Sequence, residues 1–399
     1  MTASPSPPFP GRCAIFFYEG YLGVSPTNVN LAKALARAGY DVTIYTMPTD
    51  APDAGELPGV KVVRLRPGPL AAAATRLLPI PASVRYMLQG LASELKAAVT
   101  GGDRTVYVGV DVKGGMAAAL SSVLLRRRFV FVSLELRIPP EQKRGVQGAF
   151  ARFAYRRAAA ALAQGADRFE LLTREFHWQH PTTFTLPNAP FADDAGSGPA
   201  PDDGLFREKF AIPAGKRIAL QAGMINEITC STALATGFAG ARDWALVLHE
   251  RYKRSPDEPY LAGLREHNPR NLYLSLDPLP YDQIERVFAG CDIGLAFYQP
   301  ETPDDDNFRF ISSSGKLTHY LKYGKPVLVS DLPPLRQLID EYNCGLVVKN
   351  PADPAEMSAA LDRIATRYDD FSRNALRCFA ERYDFGKGAE PVIRFMAGL

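Results

Sequence analysis

The chain has 399 residues, of which 46% are hydrophobic and 22% are charged. This length is too great for one ordinary hydrophobic core, so we expect a soluble globular protein of two domains. The formal net charge of +3 at pH 7 gives no indication of nucleic-acid binding, and we predict no nucleic-acid partner.

Neither the cysteines nor the first residues indicate export. The five cysteines are odd in number and form no CxxC pair, which argues against a disulfide framework and against a zinc site. Residues 1–11 contain neither the basic nor the apolar segment of a secretory signal. No run approaches the roughly 20 apolar residues that a membrane-spanning helix requires. We therefore predict a cytoplasmic protein.

The first half of the chain is predicted to alternate strands and helices. Residues 12–20 (RCAIFFYEG) predict a buried strand that ends at a glycine, residues 28–40 a helix, and residues 41–47 a second strand. This β-α-β order implies a parallel sheet. Further strands are predicted at 60–66, 105–110, 128–134 and 166–173. Together the six strands predict a Rossmann-like domain.

A second α/β pattern follows the segment 191–204, which is rich in Gly, Pro, Ala and Asp and is the predicted linker. Its strands are predicted at 217–222, 244–249, 271–276, 292–298, 326–330 and 345–348. In open α/β sheets, ligands bind where the strands end and the helices begin. Two such sheets therefore predict a ligand site in a cleft between two Rossmann-like domains.

The stretch SSSGK (312–316) places three hydroxyls, a glycine and a lysine at the start of a predicted helix. Backbone N–H groups, the helix dipole and the lysine ammonium all favour an anion, so the stretch predicts a diphosphate site. It is not a Walker A loop, since the first glycine of that motif is missing before Gly315. A Ser-capped helix with a solvated lysine is the alternative.

Four stretches together resemble the GT-B nucleotide-sugar glycosyltransferases, particularly glycosyltransferase family 4. They are GVSPTNVNLAKALARAGYDVTIYT (23–46), LPNAP (186–190), YDQIERVFAGCDIGLAFY (281–298) and SSSGKLTHYLKYGKPVLVSD (312–331). The resemblance implies two Rossmann-like domains facing across a cleft. It implies an acceptor-binding domain at 12–190, a donor domain at 205–375, and a helical segment at 376–399 that packs back towards the N-terminal domain.

By the same resemblance, the protein would transfer a sugar from a nucleoside-diphosphate sugar to a glycan, lipid-linked or small-molecule acceptor, with retention. The resemblance implies neither a cofactor nor a metal, so the acidic run at 301–306 is predicted to be solvated. Two alternatives stay open: a non-catalytic nucleotide-sugar-binding protein, and a sugar-nucleotide epimerase of the same fold.

The resemblance also implies the donor-binding residues. Those expected at the diphosphate are Ser313, Ser314, Gly315 and Lys316. Those expected to approach the diphosphate or the sugar from the other domain are Gly20, Leu22 and Gly23. Those expected near the base or the sugar are Gly223, Asp277, Leu279, Tyr281, Asn307, Phe308 and Arg309.

The chain departs from the family pattern at several of these places. Where the family commonly has two glutamates, this chain has Ile311 and His319, and we predict that His319 bonds a ribose hydroxyl. Glu227 stands where a cation is often found. Arg251 and Lys253 are the nearest substitutes for the missing cation, and we include both in the donor set.

Three residues are candidates for catalysis. Asp111 ends the strand 105–110 and Glu135 ends the strand 128–134, so either carboxylate would orient the acceptor or the sugar, or else cap a helix or loop. Lys316 would stabilise the departing diphosphate together with the helix N-terminus.

Positive charge is concentrated between residues 120 and 175, which contain eleven Lys and Arg against five Asp and Glu. The simplest interpretation is a solvated helix face. The alternative is a patch for a phosphorylated acceptor or for anionic lipid headgroups, which would place the protein at the inner face of a membrane.

Overall fold

The computed structural model describes residues 11–49, 54–66, 81–100, 104–134, 145–193, 204–268, 270–280, 283–299 and 314–399. These residues form two compact units. One contains most of the described residues up to Pro187 together with Gly386–Leu399, and the other contains Asn188–Phe385.

The first unit is built on a seven-stranded parallel sheet with the strand order β3-β2-β1-β4-β5-β6-β7. The strands are β1 (Arg12–Phe17), β2 (Asp41–Thr46), β3 (Val60–Arg64), β4 (Thr105–Val110), β5 (Arg128–Ser133), β6 (Ala160–Ala163) and β7 (Thr183–Thr185). In β1, β2, β4 and β5 every residue after the first is buried. Burial on both faces explains why apolar residues in these strands do not simply alternate with polar ones.

Five described helices accompany this sheet: α1 (Pro26–Arg37), α2 (Ala82–Thr100), α3 (Asp111–Leu125), α4 (Val146–Arg157) and α5 (Ala166–Phe176). The strand predicted at 166–173 is wrong, because these residues belong to α5. Phe169, Leu172 and Phe176 recur at helical spacing and contact the core. The strand next in the sheet is instead β6, which the sequence conceals because it consists of alanines and one leucine, and alanine has low strand propensity.

The second unit contains a six-stranded parallel sheet with the order β10-β9-β8-β11-β12-β13. Its strands are β8 (Arg217–Gly223), β9 (Trp244–Glu250), β10 (Leu272–Ser275), β11 (Ile293–Ala296), β12 (Val327–Ser330) and β13 (Gly345–Val348). All six predicted strands of this half are confirmed. In both sheets the second and third strands are added on one side of the first strand, and the following strands are added on its other side. Rossmann-like domains have this change in strand order, so the prediction of two such domains is confirmed.

The helices of the second unit are α6 (Leu205–Phe210), α7 (Ser231–Gly237), α8 (Pro259–His267), α9 (Ile284–Ala289), α10 (Gly315–Lys322), α11 (Pro333–Tyr342), α12 (Pro354–Thr366) and α13 (Tyr368–Cys378). Two apolar clusters, which share no residue, form the core of this unit. Fully burying one leucine or valine side chain contributes about 1.5–3 kcal/mol to the stability of the folded state. The two clusters therefore stabilise the positions of the strands and of the residues at their ends.

The last segment of the chain divides at Gly386. The segment 376–399 is predicted to pack towards the N-terminal domain. Its first ten residues belong to the second unit instead, because Phe379 and Tyr383 lie in the core of that unit. The final helix, α14 (Phe385–Ala397), then contacts the first unit, where the rings of Phe184 and Phe395 lie 5.3 Å apart. Most of the predicted linker, 194–203, lies outside the described residues.

Helix α3 packs so closely on the first sheet that it requires glycine. A Cβ on Gly114 would lie 2.1 Å from the backbone oxygen of Phe16. Gly114→Ala is therefore expected to lower the free energy of unfolding by about 1–3 kcal/mol, as overpacking does. Urea unfolding measures this change. The matched control is Gly263→Ala in α8, where a Cβ would meet nothing within 4 Å; an equal loss in both variants would contradict the prediction.

Candidate anion-binding site of the second unit

The candidate site lies at the carboxyl edge of the second sheet. Helix α10 begins there with Ser314 as its N-cap, since the Ser314 hydroxyl accepts from the backbone N–H of Leu317 at 3.4 Å. The hydroxyls of Ser314 and Tyr298 are hydrogen-bonded at 2.5 Å. Tyr298 follows β11, and its N–H donates to the hydroxyl of Ser330, at the end of β12, at 2.8 Å. The start of α10 is thus fixed to the ends of two neighbouring strands.

The amine of Lys316 is buried rather than solvated, although the residue as a whole is half-buried. Its Nζ is inaccessible to solvent, has no hydrogen-bond partner among the described residues, and lies 4.5 Å from the centroid of the Tyr298 ring. The pKa of Lys316 is lowered to about 7, mainly by burial; Cys230 opposes this change and the positive charge of Arg251 adds to it. The alternative of a capped helix with a solvated lysine is therefore wrong for the lysine, although Ser314 does cap the helix.

Arg251 supplies a second buried donor near Lys316. It follows β9, and its Nε is inaccessible to solvent and has no partner in the described part of the chain. Its guanidinium lies 5.0 Å from the ring centroid of Tyr252. Since buried donors are nearly always hydrogen-bonded, two orphaned cationic donors near one helix N-terminus indicate a site for an anion.

Glu250 holds the segment that carries Arg251. Its buried carboxylate accepts from the backbone N–H groups of Ile225 and Arg251, both at 2.9 Å, and of Tyr252 at 3.3 Å. The N–H of Arg251 also donates to the carbonyl oxygen of Gly223 at 3.0 Å. The ends of β8 and β9 are joined in this way. Sequence reasoning missed the roles of Glu250 and Tyr298, because neither residue stands in a recognisable motif.

If Arg251 contacts the anion, its removal weakens binding. Arg251→Ala is expected to weaken nucleoside-diphosphate binding by about 10- to 100-fold, the usual effect of losing a charged hydrogen bond. Isothermal titration calorimetry measures this effect. Arg242→Ala is the control, because Arg242 is exposed in the turn before β9, at the opposite edge of the sheet. Unchanged affinity in Arg251→Ala would remove this residue from the site.

His319 lies in the core. It is 4% exposed, its ring stacks on Phe288 with centroids 4.5 Å apart, and its Nδ1–H donates to the carbonyl oxygen of Gly315 at 2.7 Å. Burial lowers the pKa of His319 to about 4, so the ring is neutral at pH 7. These contacts give His319 a packing role, and the predicted ribose contact stays a prediction.

The other predicted donor residues differ in their surroundings. Gly223 ends β8 with a φ of +123°, and a Cβ there would meet nothing within 4 Å. Lys253 is exposed. Asp277 is 71% exposed and lies 4.0 Å from Lys209, whereas Leu279 packs against the core. The predicted residues outside the described ranges are Glu135, Tyr281, Asn307, Phe308, Arg309 and Ser313.

In the first unit, the residues of the loop after β1 pack against other residues of the same unit. Gly20 has a φ of +81°, and a Cβ there would lie 2.4 Å from the carbonyl oxygen of Met47. Leu22 is 1% exposed and, with Gly23, forms a short 3₁₀ helix, Leu22–Val24. The glycine at position 20 is therefore explained by the approach to Met47, and contacts of the three residues with a donor stay predictions.

Asp111 is the first residue of α3 and has a φ of +51°, a conformation that is strained for a non-glycine residue. Its Oδ1 accepts from the N–H of Leu134 at 2.8 Å, which ties the ends of β4 and β5 together. The carboxylate therefore does cap a loop, and a catalytic role for it remains a prediction.

A cavity of about 450 Å³ opens beside the anion-binding residues, between the segments that follow β8 and β9. Its lining includes Met224, Asn226, Glu250, Tyr252, Arg254 and Tyr260. Arg251, Lys316 and Tyr298 are not part of this lining, although Glu250 and Tyr252, the chain neighbours of Arg251, are.

His180 has a structural role in the first unit. Its Nε2 lies 3.0 Å from the carbonyl oxygen of Ala158, and its Nδ1 accepts from the backbone N–H of Thr182 at 3.1 Å. Within the described ranges, no group of three or more His, Cys, Asp or Glu side chains could hold a metal ion. No helix in the described part of the chain is both long and apolar enough to cross a membrane.

Comparison with solved structures identifies the fold. HepE from Anabaena in complex with UDP is 14% identical, with a TM-score of 0.67 over 97% of this chain and 100% of that chain. Sucrose-phosphate synthase from Thermosynechococcus elongatus is 15% identical, with a TM-score of 0.65 over 96% of this chain and 98% of that chain. The chain therefore has the GT-B fold of two Rossmann-like domains. A putative UDP-N-acetylglucosamine 2-epimerase from Listeria monocytogenes also shares it, with 14% identity and a TM-score of 0.57 over 96% of this chain and 95% of that chain.

Comparison of sequences finds one family model that matches part of the first unit. Residues 23–189 match the family model of the glycosyl transferase 4-like domain. The predicted resemblance to GT-B glycosyltransferases of family 4 is thereby confirmed. By sequence, none of the curated proteins compared with the chain matches it.

Proposed function

We propose that this protein is a glycosyltransferase that takes a sugar from a nucleoside-diphosphate sugar bound in the second unit. The observation that carries the proposal is the pair of orphaned cationic donors, Lys316 Nζ and Arg251 Nε, beside the N-terminus of α10. A diphosphate would supply oxygen acceptors for both donors and for the N–H groups of the first helical turn.

The chemistry of such a site suits a leaving group. When the bond between the sugar and the diphosphate breaks, negative charge develops on the diphosphate, and fixed donors stabilise that charge. Lys316 and Arg251 would hold the diphosphate oxygens, and Ser314 would keep the helix start in position. We propose retention of anomeric configuration on the resemblance alone, with a glycan, a lipid-linked sugar or a small molecule as the acceptor.

The match of residues 23–189 to a glycosyl transferase 4-like domain supports transfer over epimerisation, although the fold is shared by both classes. The UDP complex of HepE makes UDP the first nucleotide to test. We propose a cytoplasmic location, in keeping with the cysteine pattern of the sequence. On the resemblance alone, we propose that no cofactor is needed.

Thermal-shift measurements with UDP, GDP, TDP and ADP test the proposal. We expect at least one of them to raise the melting temperature, because binding to the folded state stabilises it. Turnover of the matching nucleotide sugar then separates an enzyme from a binding protein, and the product separates transfer from epimerisation. If no nucleoside diphosphate stabilises the protein, the proposed function is wrong.

A further inference from the structure

One end of a helix layer in the first unit combines exposed apolar side chains with exposed arginines. Helix α2 packs against α3, and α3 packs against α4. Each of these helices leads into a strand of the parallel sheet, so their carboxyl ends lie at the amino edge of the sheet. We call this region the amino-edge surface. It consists of Leu95, Val99, Val123, Leu124, Arg126, Arg128, Phe153, Arg156 and Arg157.

The apolar exposure is concentrated rather than scattered. Eight large hydrophobic side chains are exposed in the described part of the chain, and six of them lie on α2, α3 and α4. Their exposed fractions are 51% for Leu88, 47% for Leu95, 87% for Val99, 45% for Val123, 57% for Leu124 and 47% for Phe153. Single exposed hydrophobic residues need no explanation, but a group on adjacent helices indicates a contact surface.

The exposed charge of these helices has one sign. Arginines are exposed on α4 and directly after α3, whereas the two acidic residues of the three helices are used internally. Glu94 is 1% exposed and pairs with Arg12 at 2.7 Å. Asp111 accepts from the N–H of Leu134. Among the described residues of α2, α3 and α4, every exposed charged side chain is therefore positive.

The helix dipole explains only part of this pattern. Cations are favoured near helix carboxyl ends, which accounts for Arg156 and Arg157 in the last turn of α4. It does not account for Val99, Leu124 and Phe153 beside them. A second copy of the chain is a poor occupant, since a two-fold contact would bring the same surface, and its arginines, together. An anionic bilayer complements both features at once.

We propose that the amino-edge surface docks the protein onto an anionic lipid bilayer. The arginines contact the lipid phosphates, and the apolar side chains enter the boundary between headgroups and acyl chains. This inference goes beyond the proposed transfer reaction, because it involves only the first unit and none of the residues assigned to the nucleotide.

Co-sedimentation with vesicles tests the inference. Wild-type protein is expected to bind vesicles of phosphatidylglycerol and phosphatidylcholine, to bind less at high salt, and to leave vesicles of phosphatidylcholine alone unbound. The triple variant R126E/R128E/R156E is expected to partition at least about a hundredfold more weakly, since each arginine near such a surface contributes roughly fivefold. The variant L124S/F153S is expected to bind more weakly while staying sensitive to salt.

The matched control is R242E/R270E/R363E, which makes the same change of net charge at exposed arginines of the second unit. It is expected to bind vesicles like the wild type. Failure of the wild type to bind at low salt would overturn the inference, as would equal loss in the control. So would sedimentation velocity showing that the wild type is a dimer that only R126E/R128E/R156E dissociates. Nucleotide binding should be unchanged in R126E/R128E/R156E, so loss of the docking surface and failure of the proposed function are distinguishable.

Discussion

Replacing Lys316 by methionine is expected to lower turnover of the matching nucleotide sugar by about 10²–10³-fold. This is the usual effect of removing one fixed group that stabilises developing negative charge. The loss should fall mainly on kcat, because the interaction strengthens as the diphosphate departs. Steady-state kinetics with the nucleotide identified by thermal shift measures the change.

The stability of the Lys316→Met variant separates this effect from misfolding. In the ligand-free protein Lys316 Nζ is buried and has no hydrogen-bond partner among the described residues. Methionine keeps the apolar stem and removes a buried amine, so the free energy of unfolding is not expected to fall. Lys349→Met is the matched control, since Lys349 follows β13 in the same unit but is exposed. Full activity in Lys316→Met would exclude the assigned role.

Binding of a nucleotide sugar is expected to take up a proton at Lys316. With a pKa of about 7, this amine is largely neutral in the free protein at pH 8 and largely charged at pH 6. A bound diphosphate favours the ammonium and raises its pKa. Proton uptake on binding should therefore be about 0.9 per site at pH 8 and about 0.1 at pH 6, and the affinity should fall about tenfold from pH 6 to pH 8.

Calorimetry in buffers of different ionisation enthalpy measures the uptake. The ligand should be a nucleotide sugar rather than the free nucleotide, because a terminal phosphate itself titrates near pH 6. The control is Lys316→Met, in which the uptake at pH 8 should disappear. Uptake that persists in this variant would assign the proton to another group, and its absence in the wild type would mean that Lys316 is charged before binding.

The two orphaned donors also bear on the departures from the family pattern. Glu227 occupies a place where a cation is often found, which by itself favours a non-catalytic protein. Arg251, carried by the neighbouring strand end and held by Glu250, supplies positive charge near Lys316. The positive charge of the site can thus come from a residue that follows a neighbouring strand of the sheet. The kinetic measurement on Lys316→Met decides between the two interpretations.

The sequence alone determined the class of fold and the start of α10. Continuous apolar strands separated by amphipathic helices force parallel sheets, because strands buried on both faces must be covered by helices. The serine cap and the glycine of SSSGK act over a single helical turn, so their roles can be read without knowing what lies nearby. Such signals depend only on residues that are close together in the chain, so the sequence is enough to recognise them.

Only the tertiary structure decided what surrounds each side chain. The sequence does not show what surrounds the two polar side chains of α10, whereas the structure places His319 on Phe288 and Lys316 against Tyr298. Besides burial, the groups that shift the pKa of Lys316 are Cys230 and Arg251, which are both distant from it in sequence. Likewise, the arginines after α3 and the apolar residues of α2 adjoin because helices pack side by side. Charge and solvation depend on distances in space, which the order of residues along the chain does not contain.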